Sequence, residues 1–186
     1  ENYDYVFWLD ADALILKYDQ DIADEIEADK DLYMVNLPAI TPGFFPGMGM
    51  FLIKNTPWSK WFLENSWSKD QYTHHPYWEN SAVIDLLGLV GQLPIRDKVK
   101  FNHIAQSAPP NKTLLEKIKW LPHQWHQCDY FKNKNGIIIH YTGLPLWMRE
   151  FFLLRDALQN GIAEKNSIEE KIIALGKNIN LAKALY

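Results

Sequence analysis

Two aspartates, Asp10 and Asp12, stand one residue apart directly after the apolar run Tyr5-Val6-Phe7-Trp8-Leu9. Carboxylates two residues apart at a strand end can point the same way and offer hard oxygen ligands to Mn²⁺ or Mg²⁺. A cation so held can bridge a diphosphate. The far end of the chain repeats the logic in Ile137-Ile138-Ile139-His140-Tyr141-Thr142-Gly143, where a buried strand delivers an imidazole. Gly143 follows, where backbone can come close to a phosphate. His140 is therefore expected as the third ligand beside Asp10 and Asp12. The remaining histidines, among them His74-His75 and the His-x-x-His set of His123 and His126, read as surface-loop residues without acidic or cysteine partners.

These side chains need a scaffold. Residues 5 to 9 predict a strand buried on both faces, with the carboxylates at its C-terminal end, where open α/β sheets bind ligands. Residues 19 to 30 predict a short solvated helix, and residues 32 to 36 the next strand. Residues 38 to 50, with Pro38, Pro42, Gly43, Pro46, Gly47 and Gly49, predict a loop, and residues 50 to 53 a strand. Thr56-Pro57 marks a helix start, and a helix is expected from about 57 to 67. Its Trp58, Trp61 and Trp67 read as a core-facing stripe. A second helix is expected over 77 to 87, closed by Gly88. Residues 102 to 130 read as an irregular surface excursion in which Trp120 and Trp125 are candidates for stacking on an acceptor sugar. A strand over 136 to 141 and helices over 146 to 158 and 167 to 185 complete the reading, the last with a Ser167/Glu170 capping box. Alternating strands and helices predict an α/β fold in one domain spanning 1–186, with a helical C-terminus from about 145.

Bulk composition sets outer limits. The chain has 186 residues, 47% of them hydrophobic, enough for one sizeable core. A net charge of −4 with scattered basic residues excludes a nucleic-acid partner of the usual electrostatic kind. The lone Cys128 excludes an internal disulfide and a cysteine-rich zinc site. No apolar stretch is long enough to cross a bilayer, and the first residues lack signal-peptide character. Because the chain opens at Glu1 without methionine, it is expected to be part of a longer protein.

The order of motifs resembles a family of glycosyltransferases that add α-galactosyl, α-mannosyl or α-xylosyl residues, including fungal mannan-synthesis and plant xyloglucan enzymes. The likeness covers roughly residues 3 to 147. It rests on Phe7-Trp8-Leu9-Asp10-Ala11-Asp12-Ala13-Leu14, on Gly49 through Ser59, on Trp78-Glu79-Asn80-Ser81-Ala82, and on His140-Tyr141-Thr142-Gly143. The resemblance implies a GT-A (Rossmann-like) nucleotide-diphospho-sugar transferase fold, here without its first nucleotide-binding strands. It implies that Asp10 and Asp12 bind metal and the sugar nucleotide, a UDP- or GDP-sugar, and that His140 ligates the same ion. It also implies that Glu79 and Asn80 line the donor sugar as the catalytic pair, with a glycan as acceptor and retention of anomeric configuration. The chemistry asks for a group beside the sugar that stabilises oxocarbenium-like charge while the diphosphate leaves. Eukaryotic relatives work in the Golgi lumen on a membrane anchor, whereas a bacterial or viral version would be cytoplasmic.

The chain departs from the family at three places. Asn80 stands where glutamine is frequent, Gly47 where an asparagine is usual, and Leu144-Pro145-Leu146-Trp147 where a phosphate-contacting lysine often lies, with Arg149 as the nearest substitute. Two alternatives fit the aspartates differently. One is a haloacid-dehalogenase-like phosphatase with Asp10 as nucleophile, disfavoured by Ala13, Leu14 and the lack of a later acidic pair. The other is a glycosyltransferase-like module without turnover.

Overall fold

The computed structural model describes residues 3–37, 45–93, 95–101, 108–128 and 135–164, together with 171, 173 and 175. The chain is mixed α/β. Its main sheet has four strands in the order β1 (Tyr5–Leu9), β4 (Pro46–Lys54), β3 (Leu32–Asn36) and β5 (Ile118–Leu121). The pairs β1–β4 and β4–β3 are antiparallel and β3–β5 is parallel. A second, two-stranded sheet joins β2 (Ala13–Ile15) to β6 (Ile138–His140).

The core sits on β3 and β4. All of Leu32, Tyr33, Met34 and Val35 are fully buried, as a run of apolar and β-branched residues in a central strand requires. β1 differs from expectation. It lies at the edge of the sheet, and Val6 and Trp8 each expose about half of their surface, so it is not buried on both faces.

α1 (Pro57–Trp67) begins as the sequence implies, with Thr56 accepting a hydrogen bond from the Ser59 amide and Pro57 in the first turn. The tryptophan stripe, however, is not its core face. Phe62 and Ser59 are its buried residues, Trp58 is partly buried, and Trp67 is 90% exposed. α2 (Trp78–Leu86) packs on α1 and β4 and ends at Gly88, whose φ of 67° is the left-handed geometry that favours glycine.

Three further expectations need correction. The helix over 19 to 30 is only a 3-10 turn at Ile22–Glu25, capped by Asp21, because its acidic residues leave too little apolar surface to bury. Residues 46 to 50 belong to β4 and not to a loop, while 38 to 44 lie outside the described residues. The excursion of 102 to 130 contains α4 (Lys112–Glu116) and β5, after a short α3 (Ile95–Lys98), and within it residues 102–107 and 129–130 lie outside the described residues. Pairing of β5 with β3 overrode its irregular local signal.

α5 (Leu146–Gln159) covers the small sheet, and Phe152 packs with Ile139 and Tyr141 in a second apolar cluster. The helix expected over 167 to 185 lies outside the described residues, apart from helical backbone at 171, 173 and 175. No described helix is long and apolar enough to cross a membrane.

Candidate metal centre

Asp10 follows β1, and its amide donates to the Gly49 carbonyl of β4 at 2.9 Å. A tight turn closes when the Ala13 amide donates to the Asp10 carbonyl, and the chain then enters β2. β2 pairs with β6 so that Ala13 stands opposite His140, while the Tyr141 amide donates to the Asp12 carbonyl at 2.9 Å. Antiparallel pairing thus brings together groups 128 positions apart in the chain.

Ligand atoms of Asp10, Asp12 and His140 all lie within 4.8 Å of one another. His140 Nε2 is 2.9 Å from Asp12 Oδ1 and 3.5 Å from Asp10 Oδ2. Trp8 Nε1 donates to the other oxygen of Asp10 at 2.9 Å, and Arg149 reaches Asp12 Oδ2 at 2.9 Å. The imidazole is 7% exposed and the carboxylates of Asp10 and Asp12 are 34% and 18% exposed. The cluster is therefore open on its acidic side and closed behind the ring. Two carboxylates and an imidazole form a donor set suited to Mn²⁺ or Mg²⁺, with room for ligand oxygens on the open side.

A second imidazole lies behind the first. His126 Nε2 is 2.8 Å from His140 Nδ1, and the two rings stack at 25° with centroids 5.0 Å apart. Such a contact fixes the tautomer and orientation of a ligating histidine. His126 is fully buried, and desolvation, followed by the charge of His140, pushes its pKa down to about 3, so it is neutral. The surface-loop reading of His126 is thus overturned. His75 is likewise buried, held by Ser81 and by the Lys100 carbonyl, whereas His74 is exposed.

Gly47 and Gly49 make room for both rings. A Cβ on Gly47 would lie 2.6 Å from His126 Nδ1, and one on Gly49 would lie 2.3 Å from His140 Cε1. The β3–β4 ladder breaks at this point: Met34 pairs with Phe51, but the next residue, Val35, pairs with Gly47. A bulge of this kind re-aims the strand beside a site. The glycines that look like loop markers in the sequence are strand residues selected by two imidazoles.

Glu79 and Asn80 come to the same place from the start of α2. Asn80 Oδ1 accepts from the Met48 amide at 3.0 Å, and its Nδ2 donates to Glu79 Oε1 at 2.9 Å. The Asn80 amide is therefore committed to holding β4 and Glu79. The Glu79 side chain keeps solvent contact, yet desolvation, and then the charge of Asp10, hold its carboxyl above the usual range. Just before it, Trp78 has a φ of 41°, rare for a bulky residue.

Gly143 sits in the turn after β6 with a φ of 73°, and no heavy atom lies within 4 Å of the position a Cβ would take. Its conformation favours glycine and its surface stays open. Trp125 is buried and donates to Glu25 at 3.0 Å, which removes it as a sugar platform. Trp120 lies on β5 and is partly buried.

Cys128, for which the sequence offered no role, brings its sulfur within 4.8 Å of one ring nitrogen on each of His126 and His140. Burial, and then the charge of Asp12, push its thiol up to about 12. The usable signal was His-x-Cys beside an apolar strand that ends in histidine. Comparisons with protein-family models, curated proteins and solved structures give no match to this chain.

Proposed function

We propose that this chain is the catalytic part of a metal-dependent glycosyltransferase of GT-A type, moving a hexose or pentose from a UDP- or GDP-sugar to a glycan acceptor with retention. The observation that carries the reading is the convergence of Asp10, Asp12 and His140, with the second nitrogen of His140 held by the buried His126. An acidic surface cluster has no need of a two-histidine relay behind it.

In this reading Asp10 and Asp12 supply oxygen ligands and His140 supplies Nε2. A Mn²⁺ or Mg²⁺ bound there neutralises charge on the leaving diphosphate. Arg149, already paired with Asp12, adds a second cation for phosphate oxygens. Gly143 leaves backbone accessible beside that path. Glu79 faces the sugar, where its carboxylate would stabilise positive charge at the anomeric carbon. Asn80 is the positioning residue that fixes Glu79 against β4.

The test is a calorimetric titration of MnCl₂ into the protein, with and without UDP and GDP, alongside His140→Ala. Binding of Mn²⁺ that strengthens with one nucleotide and vanishes in the variant supports the transferase and names its donor class. Nucleotide-independent Mg²⁺ binding, or none, refutes it.

A further inference from the structure

His140 carries two nitrogens, and each faces a different set of ligands. Nε2 meets the aspartates, whereas Nδ1 meets His126 Nε2 at 2.8 Å. Gln127 bridges Ile139 in parallel, so His126, Cys128 and His140 flank the bridged pair and face the same side of these strands. One ligand atom from each of the three lies within 4.8 Å of the other two.

We propose that His126, Cys128 and His140 form a second cation site, for a thiophilic ion such as Zn²⁺ or Co²⁺, whose occupation excludes a hard cation from Asp10, Asp12 and His140. The thiophilic site stands on its own geometry. The exclusion rests on the donor-cation reading given above.

Three atoms no more than 4.8 Å apart share a centre within roughly 2.8 Å of each. Tetrahedral bonds of about 2.0 Å to nitrogen and 2.3 Å to sulfur set the nitrogens roughly 3.3 Å apart and the sulfur roughly 3.5 Å from each, so the imidazoles, now 2.8 Å apart, must part by roughly 0.5 Å while the sulfur draws in from at most 4.8 Å. The hydrogen bond of 2.8 Å between the two rings must break as the ion takes the place of its proton. Two imidazoles and a thiolate select Zn²⁺ or Co²⁺ over Mg²⁺ or Mn²⁺, which prefer oxygen. On binding, the Cys128 proton leaves to solvent and sulfur takes the metal in its place.

Exclusion follows from the electron count of one ring. A neutral imidazole has a lone pair on one nitrogen and a proton on the other. With Nδ1 on a thiophilic ion, Nε2 must carry the proton and donate to Asp12 Oδ1, across the 2.9 Å contact already present. With a hard cation on Nε2, Nδ1 must carry the proton and donate to His126. A neutral His140 therefore serves one cation at a time.

Titration of CoCl₂ into the full chain tests the site. One Co²⁺ per chain is expected, with thiolate-to-cobalt charge-transfer absorption and tetrahedral visible bands. Cys128→Ser and His126→Gln should lose that absorption and Asp10→Asn should keep it, with near-UV circular dichroism confirming that each variant is folded. Absence of the charge-transfer band in the wild-type chain, or its survival in His126→Gln, overturns the proposal. Stoichiometric Zn²⁺ should then weaken Mn²⁺ binding about tenfold or more, within the range of coupled sites, and Cys128→Ser should abolish that effect while still binding Mn²⁺. Unchanged Mn²⁺ affinity in the presence of Zn²⁺ overturns the exclusion. Cobalt binding as described, with no Mn²⁺ binding in any form, would retain the thiophilic site and overturn the exclusion together with the donor-cation reading.

Discussion

Replacing Gly49 by alanine should disable the proposed metal centre without replacing any of its three candidate ligands. The added methyl would lie 2.3 Å from His140 Cε1, 2.5 Å from Nδ1 and 3.0 Å from Asp10 Oδ2. Ordinary contact between carbons is about 3.5 Å or more, so the ring must retreat by at least roughly 1.2 Å. Metal–ligand bonds tolerate only about 0.2 Å. His140 would therefore leave the ion, and Mn²⁺ affinity should fall about 100-fold or more, equivalent to about 2.7 kcal/mol. Overpacking should also lower stability by about 1 to 3 kcal/mol. The assay is calorimetric titration of MnCl₂ with the better nucleotide, paired with urea unfolding to separate binding from folding. Gly91→Ala is the control, because nothing lies within 4 Å of its Cβ position. Wild-type Mn²⁺ affinity in a folded Gly49→Ala protein would refute the argument that β4 makes room for a ligating imidazole.

Other consequences follow from the same geometry. His126→Gln should lower Mn²⁺ affinity roughly 10- to 100-fold by releasing the ring of His140; undiminished affinity would remove His126 from its positioning role. Because the pKa of His126 falls from 6.5 to about 3 on folding, the unfolded chain binds the extra proton between those values. Stability should therefore drop as pH falls through that window, by up to about 1.4 kcal/mol per unit, and urea midpoints of His126→Gln should show a shallower acid slope. Arg149→Met frees Asp12 Oδ2, so Mn²⁺ alone should bind at least as well while nucleotide diphosphate binding weakens by roughly tenfold; unaltered nucleotide affinity would take Arg149 out of the diphosphate site. Thr56→Ala removes the cap of α1 and should cost about 1 kcal/mol in urea unfolding, with Mn²⁺ binding unchanged.

The sequence by itself determined the local elements whose signals are strong. β3 matches the apolar run at 32 to 36, and α1 runs from Pro57 to Trp67 because Thr56 and Pro57 announce its start. α2 ends at Gly88 because the backbone there turns left-handed. The two halves of the Asp10, Asp12 and His140 cluster were also legible, since a strand that stops at a carboxylate or an imidazole places that group at a sheet end.

Only the tertiary structure decided what surrounds them. A period of two in Gly47 and Gly49 looks like loop composition until two rings occupy the missing side chains. His126 and Cys128 sit in chain with no regular pattern, and their role depends on the bridge from Gln127 to Ile139. The exposure of β1 and of Trp67 depends on which elements cover them, which no local pattern encodes. Local chemistry is written in adjacent residues, but burial and ligand geometry arise from pairs far apart in the chain. His140 meets Asp12 because β2 pairs with β6, and that pairing is a property of the fold.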